Sequence, residues 1–288
     1  ALASPVSPTG SVPPTGSAVA AISEGEPLSA QKAPGKIQIF SGRYGLSSKD
    51  TTPDQIAAVY ANQAKPFFTL GITDDVTHLS LPVSPIHQTA PEDIVSCKFW
   101  GLGGDGTVSA TKNAIKIIGD HTDMTAQGYF EYDSKKSRGL TISHLRFGKS
   151  PVHSAYLIHS ADFLACHNPV YLHKYDMLRE LKDGGVFLLN FHGKASHGNP
   201  AEGTGSLAPS PELEGYLPEA AKSYLAGHGI RFYVIDAFGI GKEIGLNSKI
   251  STILQAAFFA VSGLLDPEDA KQWMKEAAEK SYGKNGGE

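Results

Sequence analysis

Apolar residues follow two alternating patterns along most of the chain after residue 90. Short apolar runs typical of strands are separated by segments whose apolar residues recur every three or four positions, as in 108–120. Strands that alternate with helices are typical of an α/β domain in which helices cover both faces of a sheet. We therefore predict a layered α/β/α fold with a mainly parallel or mixed sheet. The predicted strands are 94–102, 128–134, 140–147, 155–159, 163–168, 185–190 and 230–237, and the predicted helices are 108–120, 170–182 and 219–228.

Two further helices are predicted at the end of the chain. The segment 248–265 is apolar around most of its circumference, which indicates a buried helix. Asp266, Pro267 and Asp269 are typical of a helix start, and the helix that they begin is predicted to end near Gly283.

The region before residue 90 has a different pattern. Residues 1–35 are rich in Pro, Ser and Ala, a composition that buries too little apolar surface to fold, and we predict a disordered linker. Residues 36–90 resemble a partial α/β domain tail, with strands at 36–40 and 67–72. Between them, Thr52 as N-cap, Pro53 and Gln55 form a capping box that predicts a helix over 53–63.

Composition and charge exclude several function classes. The 288 residues carry a net charge of −4 without dense runs of Lys and Arg, which disfavours a nucleic-acid partner. No apolar stretch approaches the roughly 18 residues that a membrane-spanning helix needs. Two cysteines are too few for a disulfide framework or an all-cysteine iron–sulfur site, and no secretory leader is visible. We expect a protein that is not secreted and has a cytoplasmic or organellar location.

Eleven histidines prompt a search for metal ligands, but none has a recognised metal-ligand spacing, and we predict no metal site. Cys166 and His167 are adjacent in a predicted strand, so their side chains should point to opposite faces, which disfavours a nucleophile–base pair. The Gly- and Pro-rich segment 191–215 is predicted to be a mobile surface insertion.

A glycine loop between the first strand and the first helix carries the clearest chemistry. Gly101, Gly103 and Gly106 have the spacing G-x-G-x-x-G, which lets backbone amides approach a phosphate or diphosphate at a helix N-terminus. A tight turn that uses glycine only for its backbone freedom is an equally weighted alternative. Asp105 is predicted either to satisfy amides at the helix start or to contact the ligand.

The end of the second strand leaves the ligand open. Asp133 suits the ribose hydroxyls of a nicotinamide dinucleotide. Lys135 and Lys136 instead suit an additional phosphate, such as the ribose 3′-phosphate of coenzyme A. A lysine pair is also common in a solvated turn.

Several long segments resemble, in order, pyruvate:ferredoxin (flavodoxin) oxidoreductase. The similarity extends from about Gly42 to Lys284 and includes GRYGLSSKD, DDVTHLSLPV, CKFWGLGGDGTVSATKNAIKIIGDHTD, AQGYFEYDSKKS, LTISHLRFG and ADFLACHNPVYL. The resemblance implies that 36–90 is the C-terminal part of a transketolase C-terminal-like domain. It implies that 91–288 is the gamma domain, the third domain of such enzymes, which holds coenzyme A and caps the active site.

The resemblance also implies cofactors and site residues. Family members use thiamine diphosphate with Mg²⁺ to decarboxylate pyruvate, pass electrons through [4Fe–4S] clusters to ferredoxin or flavodoxin, and release acetyl-coenzyme A. The residues expected to contact coenzyme A are Gly104, Asp105, Gly106, Thr107, Val108 and Lys136. Thiamine diphosphate, Mg²⁺ and the clusters are expected in the full enzyme but outside this chain, so no catalytic residue is assigned and the chain alone is predicted to be inactive.

Partners follow from the same resemblance: the remaining domains of one polypeptide, ferredoxin or flavodoxin, and a second copy in a homodimer. The chain departs from the common family pattern at Ser109 and Thr111, where Gly and Asn are usual, and at Ser251, where Asn is frequent. Two alternatives stay open: a non-catalytic module derived from the oxidoreductase and fused to another reductase, and a nicotinamide-binding domain. A family variant that delivers electrons to NADP through a fused flavoprotein also fits.

Overall fold

The computed structural model describes residues 18–19, 39–45, 51–62, 65–72, 76–84, 91–134, 139–192, 211–246 and 250–282. The chain forms two compact units. The first contains 1–89 with 155–157, and the second contains 90–154 with 158–288. Apart from two residues of its first strand, the predicted linker 1–35 lies outside the described residues, as does most of the predicted insertion 191–215.

In its described residues, the first unit has a three-stranded sheet and one helix. Strand β2 (Phe40–Tyr44) pairs antiparallel with the two-residue β1 (Ala18–Val19) and parallel with β3 (Phe67–Leu70). Helix α1 (Pro53–Ala61) begins with the predicted capping box: the Gln55 amide donates to Thr52 Oγ1, and the Thr52 amide donates to Gln55 Oε1. A small core packs at its centre, formed by Val59, Phe68, Leu70 and Leu81.

The second unit contains a six-stranded mixed sheet in the order β5–β6–β4–β7–β8–β9. The pairs β4–β7, β7–β8 and β8–β9 are parallel, whereas β6 runs antiparallel to both β4 and β5. The strands are β4 (Val95–Leu102), β5 (Thr125–Tyr132), β6 (Leu140–Gly148), β7 (Ala161–Cys166), β8 (Leu181–Asn190) and β9 (Arg231–Ile235).

Helices cover both faces of this sheet, which confirms the predicted three-layer α/β/α fold. Helices α2 (Thr107–His121), α6 (Ser251–Ser262) and α7 (Pro267–Tyr282) pack on the face that carries Cys97 and Phe99. Helices α3 (Pro211–Tyr216) and α4 (Glu219–Gly227) pack on the face that carries Trp100. The short helix α5 (Ala237–Glu243) follows β9. Since side chains alternate along a strand, consecutive residues of β4 contribute to the two cores in turn.

Two predicted elements are wrong. The segment 155–159 is not a strand. The backbone of Ile158 is instead satisfied by side chains, because its amide donates to His144 Nδ1 and its carbonyl accepts from Lys98 Nζ.

The predicted helix 170–182 is replaced by two 3₁₀ turns, Pro169–His173 and Met177–Glu180, before β8 begins at Leu181. Five of its residues are buried in the core that contains Trp100: Tyr171, Leu172, Met177, Leu178 and Leu181. Tyr171, Leu178 and Leu181 recur at helical spacing, so the apolar pattern alone does not distinguish these short turns from one continuous helix.

Candidate functional site

The candidate site lies at the carboxyl edge of the mixed sheet. The parallel strands β4, β7, β8 and β9 end together at this edge, and each is followed by a residue with functional chemistry. The glycine loop follows β4, His167 follows β7, His192 follows β8, and Asp236 follows β9. In open α/β sheets this edge is the usual place for ligands.

The backbone conformation of the glycine loop requires glycine at two positions. Gly104 has φ 95° and Gly106 has φ 88°, a region that other residues adopt only at a cost. A Cβ on Gly106 would lie 2.8 Å from Ser251 Oγ, whereas a Cβ on Gly104 would meet nothing within 4 Å. Ser251 thus packs directly against the loop.

One set of loop amides, which we call the braced amides, is already bound to protein acceptors. The carboxylate of Asp105 accepts from the Leu102 amide at 2.8 Å and from the Thr107 amide at 2.7 Å. The Asp105 amide donates to the Leu102 carbonyl, and the Gly103 amide donates to the Gly139 carbonyl. Asp105 therefore satisfies an amide at the helix start, although Gly106 is the residue at the N-cap position.

A second set, the open amides, belongs to Gly104, Gly106, Val108 and Ser109. Within the described part of the chain these four amides have no hydrogen-bond partner. Three of them lie at the N-terminus of α2, where the helix dipole favours an anion. A Cβ on Gly104 would have no neighbour within 4 Å, so there is space beside the open amides. Amides with this space fit a phosphate or diphosphate.

The side chain of Thr107 points into the protein. The residue is buried, and Thr107 Oγ1 lies 2.7 Å from His167 Nδ1. Thr111 is also buried and donates to the carbonyl of Thr107. The structure thus places Gly104, Asp105, Gly106, Thr107 and Val108 in one loop, but neither the amide nor the hydroxyl of Thr107 is open to a ligand.

His167 holds the loop in place through its contact with Thr107. It is 6% exposed, and burial lowers its pKa to about 4, so the imidazole is neutral near pH 7. As predicted, Cys166 and His167 face different cores: Cys166 packs on the Trp100 side, and the His167 ring contacts Phe99. His167 therefore supports Thr107 and has no thiol partner.

Asn190 connects the ends of three strands. Its side chain is buried, donates to the carbonyl of His167 at 3.0 Å and accepts from the amide of Ala237 at 3.1 Å. It therefore fixes the ends of β7, β8 and β9 relative to one another.

The choice between a nicotinamide dinucleotide and coenzyme A depends on Asp133, Lys135 and Lys136. Asp133 follows β5, but the antiparallel β6 lies between β5 and β4. Lys135 and Lys136 lie outside the described residues. Of the described residues on either side, Gly139 contacts the loop, because its carbonyl accepts from the Gly103 amide, whereas the Asp133 amide donates to the Leu140 carbonyl of β6.

A histidine–carboxylate pair at the same edge was not predicted. His192 Nδ1 lies 2.9 Å from Asp236 Oδ2 and 3.0 Å from Oδ1, and the His192 side chain is 71% exposed. Asp236 also accepts from the Gly239 amide at the start of α5. The available signal was positional, because His192 lies two residues after the predicted strand 185–190 and Asp236 lies at the end of the predicted strand 230–237. Ligand-binding residues concentrate at the carboxyl ends of parallel strands.

Over the described ranges, no group of three or more His, Cys, Asp or Glu residues is arranged to hold a metal ion. Within the same ranges, no helix has the length and apolar character required to cross a membrane.

Comparisons with known proteins agree on one family. The family described as "Pyruvate ferredoxin/flavodoxin oxidoreductase" matches residues 96–285. The chain is 49% identical over 254 residues to pyruvate:ferredoxin oxidoreductase of Moorella thermoacetica, covering 87% of this chain and 20% of that protein. It is 49% identical over 255 residues to pyruvate-flavodoxin oxidoreductase of Klebsiella pneumoniae, covering 86% and 20%.

A third relative, pyruvate dehydrogenase [NADP(+)] of Cryptosporidium parvum, is 44% identical over 255 residues, covering 87% of this chain and 12% of that protein. The chain thus spans about a fifth or less of the length of these relatives. Its extensive matches to them confirm the resemblance noted from the sequence. The chain belongs to the pyruvate ferredoxin/flavodoxin oxidoreductase family.

Proposed function

We propose that this chain is the coenzyme A-binding gamma-domain segment of a pyruvate:ferredoxin (flavodoxin) oxidoreductase. The observation that carries the proposal is the set of open amides at the carboxyl edge of the sheet, in a chain that belongs to this family. Their number and position suit the diphosphate of coenzyme A, and the left-handed glycines keep side chains away from it.

The predicted contacts divide between the two ends of the nucleotide. The amides of Gly104, Gly106 and Val108 hold the diphosphate, and Asp105 and Thr107 keep the loop in shape. Lys136 holds the ribose 3′-phosphate through its charge. Gly139, three residues after Lys136, is hydrogen-bonded to Gly103 of the loop, which supports this pairing of loop and lysine.

The complete enzyme is proposed to convert pyruvate and coenzyme A into acetyl-coenzyme A. Thiamine diphosphate, Mg²⁺ and [4Fe–4S] clusters bound by its other domains supply the decarboxylation and electron transfer. Its proposed acceptor is ferredoxin or flavodoxin, or NADP through a fused reductase, as the name of the Cryptosporidium relative suggests. A homodimer in a cytoplasmic or organellar compartment completes the proposal.

The order of strands disfavours the nicotinamide alternative. In a dinucleotide-binding fold, the acid that holds the ribose follows a parallel strand directly beside the strand of the glycine loop. Here the antiparallel β6 occupies that place, so β5, which precedes Asp133, is two strands away, a separation of about 10 Å.

Calorimetric titration of the chain with coenzyme A, 3′-dephospho-coenzyme A and NADP tests the proposal. We expect coenzyme A to bind most tightly. Lys136→Ala should weaken coenzyme A binding by about tenfold, the equivalent of one charge-assisted contact, and leave 3′-dephospho-coenzyme A unchanged.

Lys116→Ala is the matched control, because Lys116 is exposed on α2 beyond its first turns. Preferential binding of NADP would contradict the proposed ligand. Equal losses for both coenzyme A forms in Lys136→Ala would contradict the phosphate contact alone.

A further inference from the structure

The pair formed by His192 and Asp236 resembles an oriented base. One carboxylate lies against Nδ1 of an exposed imidazole, so the other ring nitrogen, Nε2, is the one left to exchange a proton with a ligand. Asp236 is itself fixed, because it is 25% exposed and accepts from the Gly239 amide at 2.8 Å.

The position of the pair relates it to the glycine loop. His192 follows β8, which is separated from β4 by β7 alone, so the two strand ends are about 10 Å apart. Asn190, two residues before His192, is hydrogen-bonded to His167, and His167 contacts Thr107 of the loop. The imidazole is thus held by the same framework that holds the open amides.

We infer that His192 is a catalytic base for the thiol of coenzyme A and that Asp236 is its positioning residue. This inference rests on the proposed function. With the diphosphate at the open amides, the long pantetheine arm can follow the carboxyl edge past β7 to the end of β8. His192 Nε2 accepts the proton as the S–H bond breaks, and the resulting thiolate and imidazolium are a balanced pair. Asp236 stabilises the imidazolium.

The chain contains a matched control for this pair. His228 Nδ1 lies 2.7 Å from Asp183 Oδ1, a similar contact, with the His228 side chain 41% exposed. Asp183 lies near the beginning of β8, at the opposite edge of the sheet from the glycine loop. If the position at the carboxyl edge makes His192 a base, the base activity should be lost in the His192→Gln variant. The His228→Gln variant should retain it.

The test measures the thiolate of bound coenzyme A by its ultraviolet absorbance across a pH series. Both cysteines of the chain are buried, and burial raises the pKa of Cys166 to about 12, so the ligand thiol supplies the signal. We expect the thiolate fraction near pH 7 to be about tenfold higher for bound than for free coenzyme A. This increase corresponds to one pKa unit.

His192→Gln should abolish the increase without preventing binding, and Asp236→Asn, which preserves an acceptor for the cap of α5, should reduce it. Binding without a thiolate increase, or an increase that survives in His192→Gln, would overturn the inference and leave the proposed function intact. Absence of coenzyme A binding in the unmodified chain would overturn the proposed function and, with it, the inference.

Discussion

The braced amides and the open amides of the glycine loop alternate along the chain but have different roles. The amides of Leu102, Gly103, Asp105 and Thr107 bind protein oxygens, three of these bonds being shorter than 2.9 Å. Those of Gly104, Gly106, Val108 and Ser109 have no partner in the described structure. The first set holds the shape of the loop, and the second set provides donors for an anion.

This difference shows that the loop is preorganised. Asp105 supplies an internal negative charge that satisfies two donors, so the loop does not need a ligand to order it. The same carboxylate would repel a phosphate placed at the braced amides. A diphosphate should therefore gain affinity from the open amides alone, without an additional ordering cost.

The largest expected effect on stability comes from acidification, because it protonates buried His167, which contacts Thr107 of the loop. The folded pKa of His167 is about 4, below the value of about 6.5 in an unfolded chain, so the unfolded state binds more protons between these values. The free energy of unfolding should be fully retained above pH 6.5 and should fall by roughly 3 kcal/mol as the pH decreases to 4. Urea unfolding at a series of pH values measures this loss.

Two variants separate His167 from other titrating groups. Burial also lowers the pKa of His144, which contributes in the same direction. His167→Gln should reduce the pH dependence markedly, and His144→Gln should remove only the contribution of His144. Identical pH profiles for the unmodified chain and His167→Gln would show that His167 is not the dominant group.

Asp105→Ala should have the next largest effect, because it removes the acceptor of two braced amides. We expect the free energy of unfolding to fall by about 2 kcal/mol, since the Leu102 and Thr107 amides lose charge-assisted hydrogen bonds. Chemical denaturation measures the loss.

Asp105→Asn sharpens the comparison, because it retains an acceptor oxygen and removes the charge. This variant should lose less stability and should bind coenzyme A at least as tightly as the unmodified chain. Weaker binding would show that Asp105 contacts the ligand, the other role that its position in the sequence allows.

Most of the fold was predictable because its elements have strong local patterns. The capping box at Thr52, the alternating strand β4 and the apolar helix α6 each carry a local sequence signal that agrees with the fold. The segments around residues 158 and 175 were not predictable in this way. There, buried side chains such as His144 and Lys98 replace the backbone partners of Ile158, and these contacts join residues far apart in sequence.

The candidate site was predictable only in part for a similar reason. Glycine spacing identifies the loop but does not show which amides are braced. Bracing depends on the side-chain direction of Asp105, which accepts from two amides, and on Gly139, which lies 36 positions after Gly103. The pairing of His192 with Asp236 depends on the parallel register of β8 and β9. Sequence patterns do not specify that register.

Gly106→Ala should have the smallest of the three effects on stability and should act mainly on the open amides. An alanine at φ 88° costs about 1 kcal/mol in unfolding free energy, and its Cβ would press on Ser251. The loop must shift to relieve this contact, which displaces the open amides, so coenzyme A affinity should fall about tenfold in calorimetric titration.

Gly119→Ala is the matched control in the same helix, because Gly119 is exposed, has no positive φ, and has open space at its Cβ position. It should raise stability slightly, since alanine favours the helix, and leave affinity unchanged. The double variant Gly106→Ala with Ser251→Gly removes the steric contact but keeps the backbone strain. Recovery of affinity in the double variant would assign the loss to displaced amides, whereas undiminished coenzyme A affinity in Gly106→Ala alone would show that the open amides do not bind the diphosphate.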